Sequence, residues 1–586
     1  MDLALIGNCG YQALLDAHGR VVWLCWPRFD SSFVFGSLLD EERGGVFAIQ
    51  PAGTYTSSAE YESHSNVLRT TFEAEDGAFE LVDFAPRFFE HERSFKPRML
   101  VRRLRVLRGA PRIRIRCVPT ADYGQVRPQP TLGSNHMQWT IGRDALRLTT
   151  DAPIDYVASE RSFILDRDVD CCLTWGSPLE APLRETCDRF LRRTQQYWER
   201  WVKHCVLPSE FQEEVIRSAL ALKLHQYEDT GAITAAATTS LPEHPGSGRN
   251  WDYRFCWIRD SAFTVGALRR LGQFEEMEGF ITYLRNIVAR CADGDGSVQP
   301  VYGLGGEAKL EEQVLTHLSG NDGAGTVRVG NAAYAQVQHD VYGEMLAALA
   351  PAYLDSRFRR IPGLPLVHRL ADTLAAVLEA PDVGLWEKRD APRLHTFTLL
   401  LHWVGAKICV EIARAHGDTG LEAQAAGLRD RASTLIERAW RPALGYFADA
   451  IDSDEPDASL LMMVNLGYLG PDDPRASRHV DGIASALRAG PNLLYRYKHD
   501  DGLGDTVAAF TVCGFWHAEA LARLGRTEDA RAVFNGLLGH TNRFGLLSED
   551  VDPKTGALWG NFPQTYSHVG IINTAFALSA VMGPAL

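Results

Sequence analysis

The sequence has no clustered cysteines and no block of basic residues, and each absence argues against a class of protein. Its 11 cysteines are scattered over 586 residues without a C-x-x-C pair. Zinc-site spacing is therefore missing, and a chain of this size needs no disulfide staples. Sixty basic and 74 acidic residues give a net charge of −14. An acidic chain without a basic patch is poorly suited to phosphate backbones or anionic lipid. We expect reduced, buried thiols and no nucleic-acid partner.

Targeting and membrane signals are also missing from the sequence. The first residues, Met1-Asp2-Leu3-Ala4, lack the basic segment that opens a secretory signal. No uninterrupted apolar run reaches the roughly 18 residues that a membrane span requires. These absences predict a soluble, cytoplasmic protein with no membrane partner, and they leave the oligomeric state open.

What is present is an average globular composition, 45% hydrophobic and 23% charged, with a change of hydrophobic period near residue 208. Before about residue 180, apolar and polar residues alternate between turns, as in the segment from Arg112 to Val118. Short alternating strands of this kind favour an antiparallel β-sandwich. A charged amphipathic stretch follows and predicts a linker helix. The predicted domains are a sandwich over 1–182, a linker helix over 183–208 and a helical domain over 209–586.

The helical domain contains about a dozen segments with the 3.6-residue period, many of them in closely joined pairs. The sequence Ser209-Glu210-Phe211-Gln212 predicts a capping box that opens the first helix, which runs to about residue 228. The other predicted helices are 260–272, 274–291, 333–353, 366–379, 395–416, 421–439, 457–468, 475–488, 508–524, 527–538 and 569–582. A dozen paired helices predict a closed double ring, with six helices inside and six outside.

Long polar loops separate these helices, and function concentrates on loops held by a rigid scaffold. The loops are 229–258, 292–332, 381–394, 490–506 and 540–568. The second of them has about 40 residues, which is too long for a passive connection in a compact domain. We therefore expect the functional site to be built from these loops.

One loop ends in a group of residues suited to a sugar ring. Tyr253 and Trp257 supply apolar faces, while Arg259 and Asp260 supply a donor and an acceptor for neighbouring hydroxyls. A purely structural alternative is that Asp260 caps the helix that follows while the aromatic residues pack in the core.

Two glutamates in other loops are candidates for acid–base chemistry. Glu387 follows Trp386, and an indole that partly desolvates a carboxylate raises its pKa, as a general acid requires. The alternative is a surface glutamate flanked by Lys388 and Arg389. Glu549 stands in an acidic cluster and can deprotonate water if it faces a pocket. The alternative there is a solvated acidic turn.

Together these segments resemble the bacterial branch of the glucoamylase and trehalase family of inverting glycosidases, glycoside hydrolase family fifteen. The resemblance covers essentially the whole chain, in order. Its further motifs are Ile6-Gly7-Asn8-Cys9, Trp23-Leu24-Cys25-Trp26-Pro27-Arg28-Phe29-Asp30-Ser31, Thr238-Thr239-Ser240-Leu241-Pro242-Glu243, Gly330-Asn331-Ala332-Ala333, Asp340-Val341-Tyr342-Gly343-Glu344 and Gly560-Asn561-Phe562-Pro563-Gln564. The resemblance implies an α+β multidomain protein in which an N-terminal antiparallel β-sandwich is joined to a C-terminal (α/α)6 helical barrel.

The resemblance also implies roles for individual residues. Glu387 matches the general acid of the family and Glu549 its general base, and the chemistry requires no metal or organic cofactor. The residues that match sugar-binding positions, or that stand beside the acid and are predicted to bind substrate, are Tyr253, Trp257, Arg259, Asp260, Trp386 and Arg496. An inverting pair leaves room for a water molecule, so the two carboxyl groups should stand about 6.5–9.5 Å apart.

The predicted reaction is exo-acting, inverting hydrolysis of terminal α-glucosidic bonds in small glucosides or oligosaccharides, with release of β-glucose. The alternative within the family is a trehalase. A disaccharide phosphorylase would need no base, and a non-catalytic sugar-binding protein would need neither carboxylate.

The sequence departs from the family pattern at one place, near the residues expected to face the second sugar. Where many bacterial relatives place a His-Phe segment and a Ser-Lys pair, this sequence has Leu394-His395 and Thr398-Leu399. A basic group that could face the leaving sugar is replaced there, so the leaving group stays open.

Overall fold

The N-terminal part of the chain consists of two antiparallel sheets. The computed structural model describes residues 1–179, 181–291, 297–358, 361–388, 391–499 and 507–579. In spatial order the strands of the first sheet are Leu3–Gly7, Gln12–Asp16, Arg20–Cys25, Val46–Pro51, Arg112–Val118 and Phe163–Ile164, with Phe33–Phe35 paired to Arg20–Cys25. Those of the second are Thr131–Leu132, His136–Ile141, Asp144–Thr150, Val169–Trp175, Met99–Gly109, Gly77–Phe84, Leu68–Ala74 and Tyr55–Tyr61. A separate hairpin pairs Phe88–Glu90 with Arg93–Phe95.

The predicted sandwich is confirmed, and its strands follow the pattern that predicted them. In Arg112–Val118 the alternate residues Ile113, Ile115 and Cys117 are buried while the arginines between them are exposed. The two sheets share one apolar core and are also joined by a buried cation. Arg102 of the second sheet donates to the carbonyl oxygen of Phe47 in the first, at 2.6 Å.

The helix Leu183–Lys203 lies between the last strand and the helical domain. Its buried face carries Trp198 and Trp201, and the Trp201 indole donates to Oε1 of Glu276 at 3.0 Å. The helix therefore packs against the helical domain as well as following the sandwich, because Glu276 belongs to the helix Phe274–Cys291.

In the part of the chain that the structure describes, the helical domain forms the predicted double ring. Successive contacts close an inner ring of Ile258–Arg270, Val341–Leu349, Thr396–His416, the 3-10 helix Ala458–Leu461 with the short helix Met462–Asn465, Thr511–Arg523 and Thr565–Leu578. The outer helices are Gln212–His225, Phe274–Cys291, Pro365–Val377, Thr419–Glu437, Ala476–Ala486 and Thr527–Leu538. Together they form an (α/α)6 barrel, in agreement with the sequence. The helix Thr396–His416 is long and apolar enough to cross a membrane by length and composition, and 72% of its apolar window is buried inside the fold.

Two local predictions about the helices were wrong. The first helix begins at Gln212 rather than within a capping box, because Phe211 is left-handed with φ of 60° and no side chain caps the helix. The side chain of Gln212 instead donates to the carbonyl oxygen of Pro208. The predicted helix 333–353 is broken into Ala332–Ala335, Val341–Leu349 and Pro351–Leu354. Proline cannot donate the hydrogen bond that would continue a helix, so Pro351 opens a new turn.

The eleven cysteines are free thiols, nine of them buried. This agrees with the predicted absence of a disulfide framework. Burial raises the pKa of several of them, for example that of Cys25 to about 11, so these thiols stay protonated and inert at neutral pH.

Candidate active site

A cavity opens where the loops meet the amino-terminal ends of the inner helices. It is lined by Ala235, Glu243, Arg249, Trp251, Tyr253, Trp257, Arg259, Asp260, Glu312, Asn331, Ala332, Ala333, Gln336, Leu385, Trp386, Glu387, Lys388, Arg496, Tyr497, Phe510, Gln564 and Tyr566. Seven of the eight residues predicted to form a site are on this wall. The long loop after the helix Phe274–Cys291 contributes Glu312 and Asn331, so it is part of the cavity as its length suggested.

Glu387 occupies a strained turn at the cavity wall. Its φ is 58°, a left-handed value that is uncommon for a residue with a side chain. Its Oε1 accepts the indole N–H of Trp257 at 2.6 Å and lies 3.5 Å from a guanidinium nitrogen of Arg259. About a quarter (24%) of the side chain stays exposed, so a substrate can reach the carboxyl group. The alternative of a surface glutamate among basic residues is wrong, because Lys388 is buried; Arg389 lies outside the described residues.

The indole that donates a hydrogen bond to Glu387 belongs to Trp257 and not to Trp386, its neighbour in the sequence. Trp386 precedes the acid, but its N–H donates to both carboxylate oxygens of Asp457, at 3.0 and 2.8 Å. Trp386 therefore contributes an aromatic face to the cavity, while Trp257, 130 positions earlier, donates to the acid.

Glu549 lies just behind the cavity wall, where it is 1% exposed. Its Oε1 accepts the hydroxyl of Tyr253 at 2.7 Å and its Oε2 accepts the backbone N–H of Asn561 at 3.3 Å. Burial and the charge of Glu243 raise the pKa of Glu549 to about 7, against the opposing effects of Arg496 and the Tyr253 hydrogen bond. The alternative of a solvated acidic turn is wrong for this segment.

Glu549 is one of three buried carboxylates that stand together. Ligand oxygens of Glu243, Glu549 and Asp550 all lie within 4.8 Å of one another, a spacing that a cation could bridge. Glu243 already pairs with Arg249 at 2.7 Å and with Arg496 at 2.6 Å. Two guanidinium groups thus offset part of the negative charge of the three carboxylates.

The two predicted catalytic carboxylates are connected through two aromatic rings. Glu387 accepts from Trp257, Glu549 accepts from Tyr253, and the two rings meet edge to face with centroids 5.4 Å apart. Glu387 on the cavity wall and Glu549 just behind it are therefore close in space, although 162 positions separate them in the sequence.

The predicted sugar-holding pair, Arg259 and Asp260, lines the cavity and is buried. Arg259 donates to Oε1 of Gln338 at 2.9 Å. Asp260 is 5% exposed, and among the described residues its Oδ2 has no hydrogen-bond partner. Burial, opposed by Arg259, raises the pKa of Asp260 to about 6. Asp260 lies inside the first turn of Ile258–Arg270 and does not cap it, so the structural alternative is wrong.

Several cavity residues were not predicted. Glu243 and Arg249 line the wall, and Glu243 stands in a motif that the family resemblance already included. Lys388 was read only as a neighbour of Glu387, yet it also lines the cavity.

By contrast, His395 and Thr398, at the positions where the sequence departs from many relatives, are core residues. Their partners are structural: Thr398 donates to Asp382 at 2.9 Å. The basic side chains of the cavity come instead from Arg249, Arg259, Lys388 and Arg496.

The arrangement suits acid–base hydrolysis of a sugar. One carboxyl group reaches the cavity, a second lies behind a tyrosine hydroxyl, and a buried donor and a buried acceptor line the wall. Aromatic faces from Trp251, Trp257, Trp386 and Tyr497 complete the wall.

The chain matches the model of the glycosyl hydrolases family 15 over residues 210–576. It belongs to that family and is a glycoside hydrolase. Residues 2–164 match a second model, described as trehalase-like, N-terminal.

Relatives and solved structures agree with this assignment. The chain is 32% identical to a trehalase of Mycolicibacterium smegmatis, over 98% of this chain and 90% of the relative. It is 31% identical to a trehalase of Thermoplasma volcanium, over 97% and 92% of the two chains. A bacterial glucoamylase crystallised with acarbose superposes with a TM-score of 0.68 at 14% identity, over 98% of this chain and 93% of that one. This last likeness confirms the fold.

Proposed function

We propose that this glycoside hydrolase cleaves α,α-trehalose into two glucose molecules with inversion at one anomeric carbon. The observation that carries the choice of substrate is the near-complete coverage of trehalases from distant organisms, together with the trehalase-like N-terminal region. The exo-acting α-glucosidase predicted from the sequence and its alternative, the trehalase, would use the same two carboxylates, and these relatives favour the trehalase.

In the proposed reaction Glu387 is the general acid. Its carboxyl group reaches the cavity and gives its proton to the glycosidic oxygen as the bond to the anomeric carbon breaks. The leaving glucose departs with that proton. Trp257 and Arg259 both approach Oε1 and hold the carboxyl group in place, since proton transfer requires hydrogen-bond reach.

Glu549 is the general base of the proposal. A water molecule beside the Tyr253 hydroxyl loses a proton to Glu549 while its oxygen attacks the anomeric carbon from the face opposite to the leaving group. Arg259 and Asp260 bind hydroxyls of the attacked ring and hold it for this attack, an effect of position that can rival acid–base catalysis. The 6.5–9.5 Å separation of an inverting pair remains a prediction.

The product anomers test the substrate and the stereochemistry together. Early time points of trehalose hydrolysis, followed by proton NMR, should show α- and β-glucose in equal amounts, because only the attacked ring inverts. Retention would give α-glucose alone. Maltose and isomaltose, assayed in parallel, should be hydrolysed much more slowly. A preference for either one would replace trehalose with an oligosaccharide substrate.

The same assay separates hydrolysis from phosphorolysis. A phosphorylase uses phosphate as its nucleophile and needs no base, whereas a buried carboxylate hydrogen-bonded to Tyr253 supports a water nucleophile. Glucose release should therefore proceed in phosphate-free buffer, and glucose 1-phosphate should not form when phosphate is added.

We further propose a reducing, cytoplasmic location, which the eleven free thiols support.

A further inference from the structure

The residues on either side of Glu387 are both tied to aspartates of a single neighbouring segment. Trp386 donates its indole N–H to both oxygens of Asp457, at 3.0 and 2.8 Å. Lys388 donates from Nζ to Oδ2 of Asp449 at 3.2 Å, and this ion pair is buried. The backbone that carries Glu387 is thus held at the preceding and the following residue.

The two aspartates are fixed in turn. Asp457 accepts the backbone N–H and the hydroxyl of Ser459, at 2.8 and 2.7 Å. The backbone of Asp449 accepts from the N–H of Thr396 at 2.8 Å, at the start of an inner barrel helix. Both anchors are therefore part of the barrel framework.

The conformation of Glu387 explains why such anchors matter. A residue with a side chain at φ of 58° is in a disfavoured region, and such a conformation persists only where its surroundings fix it. Without the two anchors the turn could relax toward ordinary backbone angles. The carboxyl group would then move away from the indole of Trp257.

We propose that Asp457 and Asp449 are positioning residues for the general acid. By holding Trp386 and Lys388 they keep Glu387 in its left-handed conformation, with its carboxyl group aimed at the glycosidic oxygen. This inference rests on the proposed role of Glu387 as the acid. It predicts that loss of an anchor slows the steps that need proton donation and spares those that do not.

The test compares two substrates in two variants, Asp457→Ala and Asp449→Asn. Trehalose has a sugar leaving group that needs a proton, whereas fluoride leaves α-glucosyl fluoride with little help from an acid. We expect kcat on trehalose to fall about 10- to 100-fold, with KM nearly unchanged. On the fluoride we expect kcat within about threefold of the wild type. Because fluoride hydrolysis requires a formed cavity, it also reports folding in each variant.

Asp454→Asn is the matched control, since Asp454 lies between the two anchors but is exposed and pairs with Arg441 at the surface. It should match the wild type on both substrates. Equal losses on both substrates in the anchor variants would mean a general structural role and would overturn the inference. Unchanged trehalose hydrolysis would overturn it as well.

The variant Glu387→Gln distinguishes a failure of the proposed function from a failure of the positioning role alone. It should give the same selective loss, but larger. If it loses both activities equally, Glu387 is not the acid and the proposed function fails together with this inference. If it shows the selective loss while both anchor variants do not, only the positioning role is contradicted. Should the wild type prefer maltose to trehalose, the same comparison is made with maltose and the fluoride.

Discussion

At the scale of single residues, the two catalytic candidates differ in how the protein surrounds them. Glu387 reaches the cavity and Glu549 is buried behind Tyr253. Removing either charge while keeping the shape should therefore affect chemistry more than substrate binding.

The first prediction concerns Glu549→Gln. The variant should lower kcat by about 10²–10⁴-fold, with little change in KM, because water then attacks without a base. Steady-state kinetics on trehalose measure this. Glu311→Gln changes an exposed glutamate that pairs with Lys309 and should keep the wild-type rate. A wild-type rate in Glu549→Gln would remove Glu549 as the base.

The second prediction is a pH dependence. Glu549 must be ionised to act as a base, and its pKa in the free enzyme is raised to about 7. The plot of kcat/KM against pH should therefore fall on the acidic side with a midpoint near 7, since this ratio reports groups of the free enzyme. The charged and titratable groups around Glu549 are Glu243, Asp550, Arg496, Arg249 and Tyr253.

The same measurement in Glu243→Gln tests the cause of that shift. The charge of Glu243 raises the pKa of Glu549, so its removal should move the acidic limb to lower pH. A wild-type limb near pH 4.5, or a limb that does not move in the variant, would contradict this account of the site.

At the scale of elements, the position of Glu549 depends on one glycine in the loop that carries the base. Gly560 has a φ of 76°, and a Cβ there would lie 2.8 Å from the side chain of Glu549. Gly556 has a φ of 72°, but a Cβ there would meet nothing closer than 3.5 Å. The two glycines share a left-handed backbone conformation, and they differ in whether an added Cβ would contact Glu549.

The third prediction uses this pair. Each alanine substitution should cost about 1–2 kcal/mol of stability from the left-handed conformation, with some addition at Gly560 from the close contact. Only Gly560→Ala should also lose most of its activity, because Glu549 must move. Thermal unfolding and steady-state kinetics measure the two effects. Equal activities in the two variants would show that the loop tolerates displacement of the base.

At the scale of the whole molecule, the sandwich contacts the segments that build the site. The indole of Trp23 donates to the carbonyl oxygen of Ala237 at 2.8 Å. Arg254, next to Tyr253, donates to the carbonyl oxygen of Ser31 at 2.8 Å. The N-terminal part therefore supports the loop of the residues proposed to hold the sugar, and the two parts of the chain share one apolar core.

The fourth prediction tests the buried contact between these parts. Arg87 of the sandwich donates to Glu228, next to the barrel, and to the backbone of Asn8. Although burial opposes ionisation, Lys223 and Arg87 hold the pKa of Glu228 at about 2. Arg87→Met should cost about 1–3 kcal/mol, because Glu228 loses one of its two cationic partners and keeps Lys223, and should lower Tm by several degrees.

Arg543→Met is the control, because Arg543 also crosses between the two parts, to Asp2, and both side chains of that pair are exposed. Exposed pairs contribute about 0–1 kcal/mol, so Tm should change little. Differential scanning calorimetry at neutral pH makes the comparison. Similar changes in Tm would show that burial does not distinguish the two contacts.

Much of the fold could be predicted, because period and alternation record which face of an element is buried. The alternation in Arg112–Val118 and the paired helices both follow from this one requirement. The predicted helix 333–353 was wrong because the chain leaves the helical path over residues 336–340, where contacts with distant residues, such as the hydrogen bond from the N–H of His339 to Asp382, hold the backbone. The capping box was wrong because the backbone at Phe211 is set by its surroundings and not by its neighbours in sequence.

The sequence by itself determined the two parts of the fold and the family, and it supplied the two glutamates proposed as acid and base, since local hydrophobic pattern and motif order are properties of the chain. Only the tertiary structure decided which groups meet. Trp257 rather than the adjacent Trp386 serves Glu387, and Glu243 stands beside Glu549. The physical reason is that electrostatic and hydrogen-bonding effects depend on distance in space. Residues far apart in the sequence become neighbours only when the barrel closes.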